Sequence, residues 1–335
     1  MKPLISVIID TYNYGCFIEE AIDSVLNQDF PSHVMEVIVV DDGSTDDTRE
    51  RIKKYGDKIN YIYKDNKGQA SAFNTGFKYA KGEIITFLDS DDYWHPLKLK
   101  YILEEFESSK PVDFVYHNLN IVCDNQDIIK TYSSLNPFLS YNSKTYGKEE
   151  SINKKMSLKN YLSGIILPFP PTSGISARAA ILKHIFPIPQ DYRVCADTYI
   201  HFFLPFYAES YSLVRTALGS YRIHGNNLFS CYEKSQRLNQ LIYYFSILTG
   251  DLKNYEENSG NNTSLLRKEI MLWIKNWRKE LKGKKVRFKN LRSTIKTHHI
   301  ILRKEGIKTY ISLSYRYRKD QLTKILENFL SKPSL

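Results

Sequence analysis

The chain has 335 residues, 42% hydrophobic and 25% charged, the balance of a folded globular protein with length for about two domains. No apolar run reaches the ~18–20 residues of a membrane span. The four cysteines (Cys16, Cys123, Cys195, Cys231) form no C-x-x-C pair, which argues against a zinc ribbon or a disulfide framework. The net charge of +10 is uneven. Residues 231–335 hold 23 Lys+Arg against 9 Asp+Glu, while the first 230 hold 24 against 28. The basic tail calls for an anionic partner: a membrane surface, a nucleic acid or an acidic polymer. With too short an apolar stretch before Asp10 for a signal peptide, the expected compartment is the cytoplasm.

Leu4–Ile9 reads as a first strand. Phe17, Ile18, Ala21, Ile22, Val25 and Leu26 then recur at helical spacing. Met35–Val40 is a second strand, ended by Asp41-Asp42-Gly43-Ser44, with Asp46 and Asp47 read as helix caps. Ile59–Tyr63 is a third strand, and Gln69–Ala80 a helix closed by Lys81-Gly82. Glu83–Leu88 is a fourth strand, running into Asp89-Ser90-Asp91-Asp92. Alternating strands and helices predict an open α/β sheet with parallel strands and its ligands beyond the strands' carboxyl ends.

Val112–Tyr116 reads as a strand and Ile121–Ile129 as a hairpin around residues 124–127. Residues 131–156 read as a long loop. Arg178–Ile185 and Thr198–Glu209 have helical patterns, Leu218–Arg222 is a last strand, and from Ser235 the chain is helical and Lys-rich, with a weak linker at 256–263. The predicted division is 1–230 for the α/β domain and 231–335 for a basic, mainly helical appendage. His201 reads as a structural histidine, and His298-His299 as solvated.

Neither G-x-x-x-x-G-K-[ST] nor G-x-G-x-x-G follows the first strand, which argues against P-loop NTPases and dinucleotide oxidoreductases. Carboxylates end the strands instead: Asp10, then Asp41 and Asp42, then Asp89, Asp91 and Asp92. Turn chemistry accounts for the second group about as well as function does. Three carboxylates within four residues of a buried strand repel one another unless a cation lies among them. Hard oxygen ligands of that kind suit Mg²⁺ or Mn²⁺ carrying a diphosphate.

The runs Ile5–Asn13, Val39–Asp46, Asn66-Lys67-Gly68-Gln69 with Asn74-Thr75-Gly76, and Phe87–Asp92 resemble, in order and spacing, those of family 2 glycosyltransferases. Cys195-Ala196-Asp197 resembles that family's base motif, and Tyr221–Asn227 its closing segment. The resemblance implies a GT-A fold and an inverting transfer of sugar from a nucleoside-diphosphate donor, expected to be a UDP-sugar, to a glycan or lipid-linked acceptor in bacterial surface polysaccharide or glycoconjugate synthesis. It implies Asp197 as general base. Thr11, Tyr12, Asp42, Gly68, Asn74 and Asp89 fall on the donor, and Asp91, with His224 nearby, on the metal. Three positions depart from the pattern: Asp10 replaces the usual Pro, Ala196 the acid before the base, and Phe73 an Arg.

Two other readings are a metal-dependent nucleotidyltransferase, which lacks its expected Gly-rich basic loop here, and a non-catalytic module that binds a nucleotide-sugar or an anionic polymer. In the tail, Trp273, Ile274, Trp277 and Leu281 lie at helical spacing among Lys275, Arg278, Lys279, Lys282, Lys284 and Lys285. That pattern suits peripheral contact with the inner face of an anionic membrane and equally a helix packed on the protein. No motif for a specific nucleic acid accompanies the charge.

Overall fold

The computed structural model describes residues 4–108, 112–123, 128–132, 154–155, 171–225, 227, 234–260 and 263–282. These fall into two compact units, one holding the described residues through His224 and the other those from Gly225 onward.

The first unit is built on one mixed sheet. β1 (Ile5–Thr11) lies between β2 (Met35–Asp41) and β4 (Ile84–Asp89), with β3 (Asn60–Tyr63) outside β2, all four parallel. Residues 5–9 of β1 are buried to the last, because a central parallel strand is covered on both faces. On one face Val7, Ile9, Val37, Val39 and Leu88 pack under α1 (Gly15–Leu26), α2 (Thr48–Ile52) and α4 (Lys98–Phe106). On the other, Ile38 and Val40 pack with Ala72 of α3 (Gln69–Tyr79). Gly76 makes that approach possible, since a Cβ there would lie 2.5 Å from Ile8 Cγ2.

Beyond β4 the sheet departs from the all-parallel expectation. β9 (Ile175–Arg178) is antiparallel to both β4 and β6 (Phe114–Val122). β6 then pairs in parallel with β10 (Ser210–Arg222), and β5 (Tyr93–Trp94) closes the edge. β7 (Ile128–Tyr132) forms the expected hairpin with β6, and β8 (Lys154–Lys155) pairs with β10. β10 runs 13 residues, far longer than the predicted 218–222, because it lies along β6 from Tyr211 to Arg222. The helices after β9 are α5 (Ala179–Leu182) and α6 (Asp197–Tyr207). Most of the predicted loop 131–156, together with Cys231, Lys284, Lys285 and His298-His299, lies outside the described residues.

In the second unit α7 (Lys234–Ser259) and α8 (Ser264–Leu281) form a helical hairpin. Glu256 joins them, accepting from Thr263 Oγ1 at 2.9 Å and from Arg267 Nη2 at 2.5 Å. Ile270 and Ile274 of α8 are buried. The side chains of Trp273 and Trp277 lie outside the described residues. No described helix is long and apolar enough to cross a membrane.

Candidate active site

The carboxyl ends of β1, β2 and β4 lie side by side, since Asp10 is in register with Asp89 and Thr11 with Asp41. At the β2 end the carboxylates are held by the chain. Asp41 accepts from Ser44 N at 2.7 Å and from Tyr61 Oη at 2.7 Å. Asp42 accepts from Gly68 N at 2.6 Å and Lys67 N at 3.1 Å, and pairs with the Lys64 ammonium. Asp42 thus shapes the loop of residues 64–68. Asp46 accepts from Thr48 N and Oγ1 and from Gly15 N, while Asp47 makes no cap bond and instead accepts from Arg51 Nε at 2.8 Å. Thr11 is buried, while Tyr12 is 37% exposed at the mouth of β1.

The β4 end differs. Carboxylate oxygens of Asp89, Asp91 and Asp92 all lie within 4.8 Å of one another. Burial pushes Asp89 well above the usual carboxylate range, and the charge of Asp10 adds to the effect. Burial likewise pushes Asp10 up to about 7. Asp10 Oδ1 is buried without a hydrogen-bond partner among the described residues. Hard oxygens crowded in this way, with the orphaned Asp10 Oδ1 on the neighbouring strand, fit a divalent cation such as Mg²⁺ or Mn²⁺.

Within the cluster the roles separate. Asp92 is tied into the fold, accepting from Ser173 Oγ at 2.5 Å and Arg222 N at 2.9 Å. Arg222 donates through Nε to Asp91 O at 2.9 Å, pairs with Glu20, and lies between the Phe17 and Tyr93 rings. His224 Nε2 lies 3.1 Å from Asp91 Oδ2, its ring against Phe17 and edge-on to Tyr14. His224 therefore sits on the Asp91 carboxylate, outside the group of clustered ligand atoms.

Asp197 opens α6 and accepts from Thr198 N at 2.8 Å. Burial pushes its carboxyl up to about 6, against the hydrogen bonds that favour its charged form. His201 Nε2 lies 3.9 Å from Asp197 Oδ2, and His201 Nδ1 lies 2.9 Å from Tyr116 Oη, so this histidine is buried and bonded as expected. The loop before Asp197 is fixed to α3, with Ala196 N donating to Gln69 Oε1 at 2.9 Å and Gln69 Nε2 donating to Asp89 Oδ1 at 3.2 Å.

Two residues expected on the donor also have structural duties. The Asn74 amide is spent on Ile188, donating to its carbonyl at 2.8 Å and accepting from its N–H at 2.7 Å. Gly68, at φ +88°, permits the close approach of Arg193, whose Cα would lie 2.5 Å from a Cβ at that position. Phe73, where the family pattern has Arg, is buried against Phe87. Sequence reasoning missed the linking roles of Gln69, Ser173 and Arg222; Gln69 and Arg222 stood inside matched motifs without a role.

A mixed α/β sheet with an acidic cluster at its carboxyl edge and a half-buried carboxylate at a helix start defines a GT-A glycosyltransferase architecture. Residues 1–349 of S. aureus TarS, solved with UDP-GlcNAc, share the fold at a TM-score of 0.58 and 20% identity, over 97% of this chain and 80% of that one. The family model for glycosyl transferase family 2 matches residues 6–184, and the chain belongs to that family. It is 39% identical over 228 residues to an uncharacterized glycosyltransferase of Nostoc sp., covering 67% of this chain and 66% of that protein. A chondroitin synthase of Pasteurella multocida is 40% identical over 135 residues, 39% of this chain and 14% of the synthase. The chain thus spans just under two thirds of the Nostoc relative and a small part of the synthase.

Proposed function

We propose that the protein is an inverting, metal-dependent glycosyltransferase. It moves a sugar from a nucleoside-diphosphate donor to a hydroxyl of a glycan or lipid-linked acceptor in surface polysaccharide or glycoconjugate synthesis. The observation that carries this reading is Asp197, a carboxyl pushed up to about 6, which follows directly on Ala196, whose N–H Gln69 links to Asp89 at the β4 end. A base must be ionised at the working pH yet basic enough to take a proton, and a pKa just below neutrality meets both demands. Asp91 and Asp89 would hold Mg²⁺ or Mn²⁺, which when bound supplies positive charge to the departing diphosphate. Thr11, Tyr12 and the loop held by Asp42 form the end of the site left for the nucleotide base. The matches to the chondroitin synthase and to the UDP-GlcNAc-bound TarS favour a glycan product and make UDP-GlcNAc the first donor to try.

The test is Asp197→Asn, which keeps size and helix-start chemistry but cannot accept the proton. Transfer falls about 100-fold or more, UDP binding with Mn²⁺ stays near wild type, and wild-type kcat/KM rises with pH through about 6. A variant that melts earlier yet turns over normally per folded molecule would make Asp197 a helix-start residue only.

The basic appendage, residues 231–335, completes the reading as a peripheral contact with the anionic inner face of a membrane. Lys268, Lys275, Arg278, Lys279 and Lys282 line one hollow of α8 around Met271, which is 52% exposed. Among the described residues none of these five cations has an acidic partner. Each near-surface cation contributes ~1 kcal/mol at most. Full-length protein is expected to co-sediment with phosphatidylserine vesicles at low salt, and Lys275→Glu/Arg278→Glu/Lys279→Glu to stay in the supernatant. Equal binding by both would remove α8 as the contact.

A further inference from the structure

Helix α3 begins at Gln69 with Gly68 before it, a residue with no side chain to cap the exposed N–H groups. The caps come from the base loop: Gln69 N donates to Arg193 O at 2.9 Å and Ala70 N to Tyr192 O at 3.1 Å. Two residues on, Cys195 stands at φ +55°, a left-handed conformation that a non-glycine residue holds only when its surroundings impose it. The bonds on either side impose it: Tyr192 and Arg193 on α3, then Ala196 N on Gln69 Oε1 at 2.9 Å. The other end of the same amide reaches Asp89 Oδ1 at 3.2 Å. A carboxamide accepts at one end and donates at the other, as a backbone N–H and a carboxylate require.

We propose that Gln69 is a positioning residue for the transfer, setting the separation between the base Asp197 and the donor-side carboxylate Asp89. This rests on Asp197 being the base, since Gln69 acts through the residue that precedes it. Displacing a reacting group by about 1 Å can cost on the order of 100-fold in rate. Gln69→Leu keeps the bulk and removes both bonds. Gln69→Glu keeps an acceptor for Ala196 N but places an anion beside Asp89. The two substitutions therefore separate the two ends of the link.

Three measurements test this on the full chain: UDP release from UDP-GlcNAc with Mn²⁺, calorimetric binding of UDP with Mn²⁺, and amide hydrogen exchange at Ala196. For Gln69→Leu, kcat is expected to fall about 10- to 100-fold with UDP affinity within about threefold, and the Ala196 amide to lose protection. Gln69→Glu is expected to retain that protection and to weaken UDP binding instead. If Gln69→Leu keeps wild-type kcat while Asp197→Asn is inactive, the positioning role alone is wrong. If Asp197→Asn is fully active, the base assignment fails and takes this proposal with it. An Ala196 amide equally protected in wild type and Gln69→Leu overturns the link without any turnover.

Discussion

Two acidic groups stand on one sheet edge, built from similar residues and placed in opposite electrostatic states. At the β2 end Asp41 and Asp42 face a hydroxyl, an ammonium and backbone N–H groups, so the chain itself supplies their positive partners. At the β4 end Asp89 and Asp91 face other carboxyls, and Asp10 adds another across the strand pair. A carboxylate ringed by N–H donors and an ammonium builds structure; carboxylates crowded on one another, with Gln69 and His224 as polar neighbours, are poised for a cation or a substrate. The distinction between Asp42 and Asp91 is thus one of neighbours, not of residue type.

The largest effect that would sharpen this contrast belongs to Asp91→Ala. If the β4 cluster is the metal site, Mn²⁺-dependent UDP affinity falls by about 100-fold, equivalent to about 2.7 kcal/mol. Calorimetry with Mn²⁺ and with EDTA measures it. Equal and EDTA-insensitive affinities in wild type and variant would erase the difference between the two ends.

Much of this architecture was legible in the sequence. The four parallel strands and their acidic ends could be read because each is local, an apolar run followed at once by its carboxylates. The antiparallel β9 was not, since Ile175–Arg178 is only four residues long and is defined by partners at β4 and β6 far along the chain. For the same reason the structural duties of Asn74 and Gly68 are invisible in the sequence. Their duties toward Ile188 and Arg193 depend on a loop more than a hundred residues away. Gln69 lay inside a matched motif, yet its bridge exists only once that loop returns to α3. Asp10 showed itself as a departure from the family pattern, and its register with Asp89 explains why the departure matters.

A smaller and more direct test compares the two ends by neutralising one carboxylate in each. Asp42→Asn turns an amide toward the N–H groups of Lys67 and Gly68 and leaves Lys64 with only the Asp65 carbonyl, so stability falls by about 1–2 kcal/mol. Asp10→Asn has the opposite sign. The Asp10 carboxyl ionises at about 7 in the folded chain, against an ordinary value of 3.8. Between those values the folded state binds more protons than the unfolded one. Stability therefore declines as pH rises from about 4 to 7, and the cost is complete above that window. Asn carries no charge, so the variant escapes that cost at pH 8. The gain is expected at about 1–3 kcal/mol, several degrees in Tm, since Asp89 shares in the repulsion. Below about pH 4 both carboxyls are protonated in either state and the gain disappears. Melting curves of wild type and Asp10→Asn from pH 4 to 8, with and without Mn²⁺, check each part. A bound cation offsets the same repulsion, so Mn²⁺ should narrow the gap at pH 8. If Asp10→Asn is less stable than wild type at pH 8, Asp10 has its positive partner within the chain and the β4 end is no different from the β2 end.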